Sequence, residues 1–368
     1  MMEMNESEKI SYTIDLSKKV IKDCCVENGA IIAANTDKGY YPKDASSYRY
    51  VWPRDASFVC VASDILNIKI QEDFFQWCLE RAEDFDRKGV FYQNYHTNGV
   101  KAGYQFQPDQ TGSVLWAIWH HYRDRLEDAL EFGELIKKGA NGICRVWNGK
   151  NFSIPTYDIW EERCTFPDLG DNHTYSLAAC AMGLRYANEI IENKKWIGIA
   201  DEMERQIKEA YRGYFIRTSG KIYDTSIDSS LLGLLYPFNI SSISKHGDVT
   251  DGITDRMIIN TINVIEKRVV KNGGVYRYES DRYDGWVFNG NVRFKGAGAW
   301  PVLNFWMSIC CSIIGDEKKG RRYYRWVLDK TNGYLPEQIF ENRLQKSVSP
   351  LVWSHAMFII ASKFLGYL

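Results

Sequence analysis

With 368 residues, 45% of them hydrophobic, the chain can bury a large core as one big domain or two ordinary ones. Its 46 Lys and Arg balance 47 Asp and Glu to a net charge of -1 without a long basic block, so no electrostatic footprint exists for nucleic acid or an acidic membrane surface. The charged start "MMEMNESEKISYTIDLSKK" lacks the apolar centre of a signal peptide, and no run is long enough to span a bilayer. Nine cysteines, two pairs of them adjacent (Cys24-Cys25, Cys310-Cys311), suit a reducing compartment, and a cytoplasmic protein is expected.

Apolar residues at three- and four-residue steps predict helices over 57–68, 72–85, 112–140, 174–191, 195–215, 255–270, 299–314, 320–330 and 349–366. Short polar connectors, such as 67–72 and 192–195, alternate with long loops over 38–56, 90–111, 145–173, 271–298 and 331–349. Long loops at alternate connections would gather at one end of a helical barrel or bundle, which is where chemistry is expected. No low-complexity linker or repeat divides the chain, so one domain is favoured. The six histidines (His96, His120, His121, His173, His246, His355) have no ligand spacing, and no metal or other cofactor is expected.

The loops are rich in aromatic residues, the chain holding 12 Trp and 23 Tyr. Such rings offer a flat apolar face with one polar handle, which matches a sugar; packing in the core is the ordinary alternative for any one of them. "YRYVWPRDAS" sets Tyr48, Trp52, Arg54 and Asp55 just ahead of a helix. Asp55 could cap that helix or pair with Arg54, or the planar guanidinium and carboxylate beside the indole could clamp neighbouring hydroxyls. "YDIWEER" flanks Trp160 with Asp158, Glu161 and Glu162, and "YLPEQ" places Glu337 in a loop opened by Gly333. Acids on a loop are commonly just solvated. Two carboxyl groups on separate aromatic-rich loops are also what hydrolysis of a glycosidic bond needs, one protonated and one ionised.

The segments "YVWPRDA", "PTYDIWEER", "DSSLLGLLYPF", "GGVYRYESD", "GAGAWPVLNFW", "YLPEQ" and "PLVWSHA" resemble, in this order, those of the glucoamylase family, family fifteen of the glycoside hydrolases. The resemblance runs from about Ile31 to the end, leaving 1–30 as a lead-in segment before one catalytic domain over 31–368. It implies an all-α (α/α)6 barrel with its site at the mouth. It also implies inverting, exo-acting hydrolysis of α-glucosidic bonds from non-reducing ends with release of β-glucose, and carboxyl groups about 6.5–9.5 Å apart. By motif position Glu161 resembles the general acid and Glu337 the general base. Glu162 resembles a holder of the leaving sugar, Asp158 shapes that region, and Tyr48, Trp52, Arg54, Asp55, Trp160, Arg277 and Trp300 resemble the surroundings of the terminal glucose. The chain departs from the family in "QPDQTGS", where Gln110 stands in place of an acid, in "GAGAW" around Trp300, and in lacking the tryptophan-bearing insertion of fungal members. The implied partners are α-linked glucose oligosaccharides. A trehalase, an α-1,6-glucosidase and a non-catalytic glycan-binding protein on the same fold are the alternatives.

Overall fold

The structure is a computed structural model that describes residues 5–43, 45–221, 224–241, 252–285, 296–342 and 345–368; His246 and part of the 271–298 loop lie outside these. Its helices, in chain order, are α1 (Glu6–Cys24), α2 (Pro53–Ile65), α3 (Gln71–Glu80), the single turn α4 (Phe85–Lys88), α5 (Pro108–Tyr122) and α6 (Gly133–Val146). They continue as α7 (Thr174–Ile190), α8 (Lys194–Glu209), α9 (Asp255–Val269), α10 (Pro301–Ile313), α11 (Glu317–Lys330) and α12 (Val352–Phe364).

Burial sorts these helices into two layers. Along α2, α5, α7, α10 and α12 almost every residue is buried, as are all six residues of the 3-10 turn Ser229–Leu234. A helix apolar all round belongs inside, and these six elements close a ring in which α2 touches α5, then α7, the 3-10 turn, α10, α12 and α2 again. The amphipathic helices pack outside it: α1 on α12, α3 and α6 on α5, α8 on α7, α9 on the 3-10 turn, and α11 on α10. This is the (α/α)6 barrel. The contact between α5 and α7 depends on glycine, since a Cβ on Gly112 of α5 would lie 2.3 Å from the Ala179 carbonyl oxygen of α7. Among the described residues the four sheets are two-stranded, the longest being the hairpin of β1 (Tyr92–Tyr95) and β2 (Lys101–Phe106).

One expectation is corrected. The periodic run over 112–140 is not one helix: α5 stops at Tyr122, a 3-10 turn over Asp128–Phe132 buries Ala129 and Phe132, and α6 starts afresh. An inner helix has to turn outward at the barrel's end, and a short buried turn keeps the apolar spacing while the axis changes. The lead-in over 1–30 contains α1, an outer helix opened by a capping box between Asn5 and Glu8. Its buried face, Ile10, Ile14, Ser17 and Ile21 among others, has helical spacing hidden by an otherwise charged sequence.

Candidate active site

Each inner helix is entered through one of the connections that come from the outer layer, and these connections build the site. Pro occupies the first turn of α2, α5 and α10, where its missing N–H costs nothing. The preceding cap positions of α2 and α10 hold Trp52 and Trp300, which make no side-chain cap bond and line a pocket instead. The pocket is a cavity of about 330 Å³. Tyr48, Trp52, Arg54, Asp55, Trp160, Glu161, Glu162, Arg277, Trp300 and Glu337 all line it. So do Ala33, Ile159, Tyr283, Leu351 and Trp353, which sequence reasoning left unassigned.

Asp158 is buried behind the wall, outside the lining. It builds the turn that carries the acids. Its Oδ1 accepts hydrogen bonds from the Glu162 and Arg163 N–H groups at 2.9 and 3.1 Å, and its carbonyl accepts from Glu161 N at 3.1 Å. These bonds hold Glu161 at φ 64°, a left-handed conformation that costs a side-chain-bearing residue about 1–3 kcal/mol.

Two charge clusters border the pocket, one between the starts of α2 and α5 and the other between the Glu162 turn and the loop of Arg277. Arg54 donates from Nε to Asp55 (3.2 Å) and from Nη1 to Asp109 (3.0 Å), with its guanidinium 5.2 Å from the Trp353 ring centre. Burial opposes the charge of Arg54, but the two aspartates outweigh it and hold the group protonated. Burial also pushes Asp55 up to about 6 against the pull of Arg54. Arg277 makes a two-pronged contact with Asp281 at 2.8 Å on both arms and donates to Glu162 at 2.6 Å. It lies among Trp160, Trp300, Tyr283 and Tyr278. Trp160 in turn donates its N–H to both oxygens of Asp228, each at 3.0 Å, and Asp228 pairs with Arg217 at 2.6 Å.

The two carboxyls singled out from sequence sit in contrasting settings. Glu161 receives the Trp52 N–H on Oε1 at 2.6 Å and the Gln93 amide on Oε2. Burial raises its pKa, against Arg54 and those two donors, which favour the charged form. Glu337 accepts from the Tyr48 hydroxyl at 2.9 Å on Oε1, whereas its buried Oε2 has no hydrogen-bond partner among the described residues. Burial pushes Glu337 up to about 7. Trp300 and Trp353 likewise keep a buried indole N–H without a protein acceptor. Among the described residues, no group of three or more His, Cys, Asp or Glu side chains could hold a metal ion, and no helix is long and apolar enough to cross a membrane.

Comparison with known proteins places this architecture. The profile of Glycosyl hydrolases family 15 matches residues 79–319. The chain belongs to that family. An uncharacterized glycosyl hydrolase of Methanocaldococcus jannaschii is 30% identical over 97% of this chain, which spans only 56% of that protein's length. The isomaltose glucohydrolase of Kribbella flavida is 23% identical over 92% of this chain and 91% of its own. Among solved structures, a glycosidase in complex with glucose superposes with a TM-score of 0.76 at 22% identity, covering all of both chains. A bacterial glucoamylase complexed with acarbose gives 0.71 at 20% identity, over 96% of this chain and 55% of its own. These structures share the barrel.

Proposed function

We propose that this family 15 chain is an inverting, exo-acting α-glucosidase of the glucoamylase type, which removes glucose from the non-reducing ends of short α-glucans. The observation that carries the reading is a pair of carboxyls, Glu337 buried and Glu161 half-buried, brought from separate loops to one pocket and held differently. Glu161, fixed by a donor on each oxygen, is the general acid: it gives its proton to the glycosidic oxygen as the bond to the anomeric carbon breaks. Glu337, with Oε2 left without a hydrogen-bond partner among the described residues, is the general base: it takes a proton from a water whose oxygen attacks that carbon from the opposite face. The product is β-glucose, and proton exchange with solvent restores the pair.

Arg54 and Asp55, oriented by Asp109 and Trp353, grip the hydroxyls of the terminal glucose, and the unpartnered indole N–H groups of Trp300 and Trp353 serve the same ring. Tyr48 holds the base. Glu162, tied to Arg277, faces the leaving sugar, and Asp158 sets the turn that presents both acids. The likeness to an isomaltose glucohydrolase over nine-tenths of both chains favours α-1,6-linked disaccharides as a second substrate reading. No metal or cofactor enters these steps. A cytoplasmic location agrees with nine free cysteines, seven of them buried. We take the described helices, α1 included, as one catalytic domain around one core.

The test is an NMR time course with maltotriose, isomaltose and trehalose, following the anomeric proton of newly released glucose. β-Glucose appearing ahead of mutarotation is expected from maltotriose or isomaltose. Release of the α-anomer would refute inversion, and three intact sugars would leave a glycan-binding protein as the reading.

A further inference from the structure

Gln93 touches Glu161, yet it lies outside every motif that pointed to the site, and its position is built from several sides. It sits on β1, and on β2 a Cβ at Gly103 would meet Gln93 Oε1 at 2.3 Å and Cδ at 2.8 Å. Glycine thus leaves the recess in which the carboxamide lies. The Gln93 carbonyl accepts from Gln110 Nε2 at 3.0 Å, and the same amide donates to Gln107 Oε1 at 2.8 Å. Gln107 donates to the Asp158 carbonyl at 2.6 Å, and Gln110 Oε1 accepts the Arg54 N–H at 2.6 Å. An acid at position 110 could not donate to those two acceptors, which gives a physical reason for glutamine there.

We propose that Gln93 is a positioning residue for the acid: together with Trp52 it fixes the rotation of the Glu161 carboxyl, and Gln107 and Gln110 lock the hairpin to the acid loop. With one donor on each oxygen the carboxyl plane has one orientation. Without Gln93 it turns about its own axis, and the proton is no longer aimed at the leaving oxygen. The linkage consists of amides and does not titrate. The charged groups facing Glu161 are Arg54 and Asp55 of α2, Asp158 of its own loop and Glu337 across the pocket.

This inference rests on Glu161 being the acid, so Gln93→Ala is compared with Glu161→Gln. Both are assayed on the disaccharide the enzyme splits and on α-glucosyl fluoride, whose leaving group departs with little help from an acid. Gln93→Ala is expected to lower kcat on the disaccharide roughly 10- to 100-fold, and on the fluoride less than about threefold. The basic limb of kcat/KM is expected to move to higher pH, because the carboxylate has lost a donor. Gly103→Ala, which displaces the carboxamide without removing it, is expected to act in the same direction with a smaller loss, and it serves if Gln93→Ala does not fold. Equal losses on both substrates with an unmoved basic limb, or no loss at all, would overturn the role of Gln93. If Glu161→Gln itself loses equally on both substrates, the acid assignment falls first.

Discussion

At the scale of single residues, the buried Glu337 links activity and stability to pH in a defined direction. In the unfolded chain this carboxyl titrates near 4.5, and in the folded protein at about 7. The folded state therefore binds more protons between those values, and stability falls as pH rises from about 4.5 through 7, by a few kcal/mol in total. Glu337→Gln keeps an acceptor for Tyr48 and removes the buried charge. Its melting temperature should exceed that of the wild type by more at pH 8.5 than at pH 5, as thermal unfolding at the two values will read; an equal difference would mean that the carboxyl does not titrate in this window. If Glu337 is the base, as proposed, kcat/KM should drop on the acid side of about pH 7, where this carboxylate takes up its proton, rather than near the ordinary carboxylate range. That Trp52, Arg54, Asp55, Glu161 and Glu337 line one pocket is legible because charge and aromatic rings are concentrated in short motifs. The place of Gln93 is not, since an uncharged residue in a hairpin differs in no local way from any other polar strand residue. Asp158 was legible as an acid but not as the builder of a turn, because that role depends on which backbone N–H groups its side chain reaches.

At the scale of elements, apolar periodicity identified the inner helices but not their ends. The run over 112–140 kept its spacing through the bend after Tyr122 because Ala129 and Phe132 are buried in a 3-10 turn, and periodicity registers burial rather than axis direction. The sixth inner element, Ser229–Leu234, is too short to carry a helical period and was read only as part of a motif. The helix α1 was missed although Asn5 and Glu8 spell a capping box, because its charged residues outnumber the apolar ones. Where α5 and α7 meet, the contact is backbone against backbone at Gly112. Gly112→Ala should therefore force the pair apart and destabilise the fold by about 1–3 kcal/mol. Urea unfolding measures this, and an unchanged midpoint would show that the helices separate without cost.

For the molecule as a whole, α1 closes the barrel and also supports the loop that carries Glu337. His355 of α12 accepts the Leu335 N–H on Nε2 at 3.1 Å, which leaves its Nδ1–H to donate to Ser17 of α1 at 2.8 Å. Burial drives this imidazole down to about 3, so it is neutral in the folded protein. His355→Leu should cost about 1–3 kcal/mol by orphaning its partners. That cost should shrink as pH falls below about 6.5, where protonation of the unfolded chain weakens the wild type but not the variant. Denaturant midpoints at pH 8 and pH 5 give the comparison, and a cost that grew toward acid would contradict a neutral ring. Among the described residues that line the pocket, the carboxyl groups of Asp55, Glu161, Glu162 and Glu337 outnumber the cations Arg54 and Arg277. Such a field sorts ligands by sign as well as by shape. A glucose-shaped piperidine should bind more tightly as Glu337 ionises, whereas glucose 6-phosphate should fail to compete in the same inhibition assay. Wherever sugar phosphates and neutral chains occur together, the entrance would then stay clear for the neutral ones.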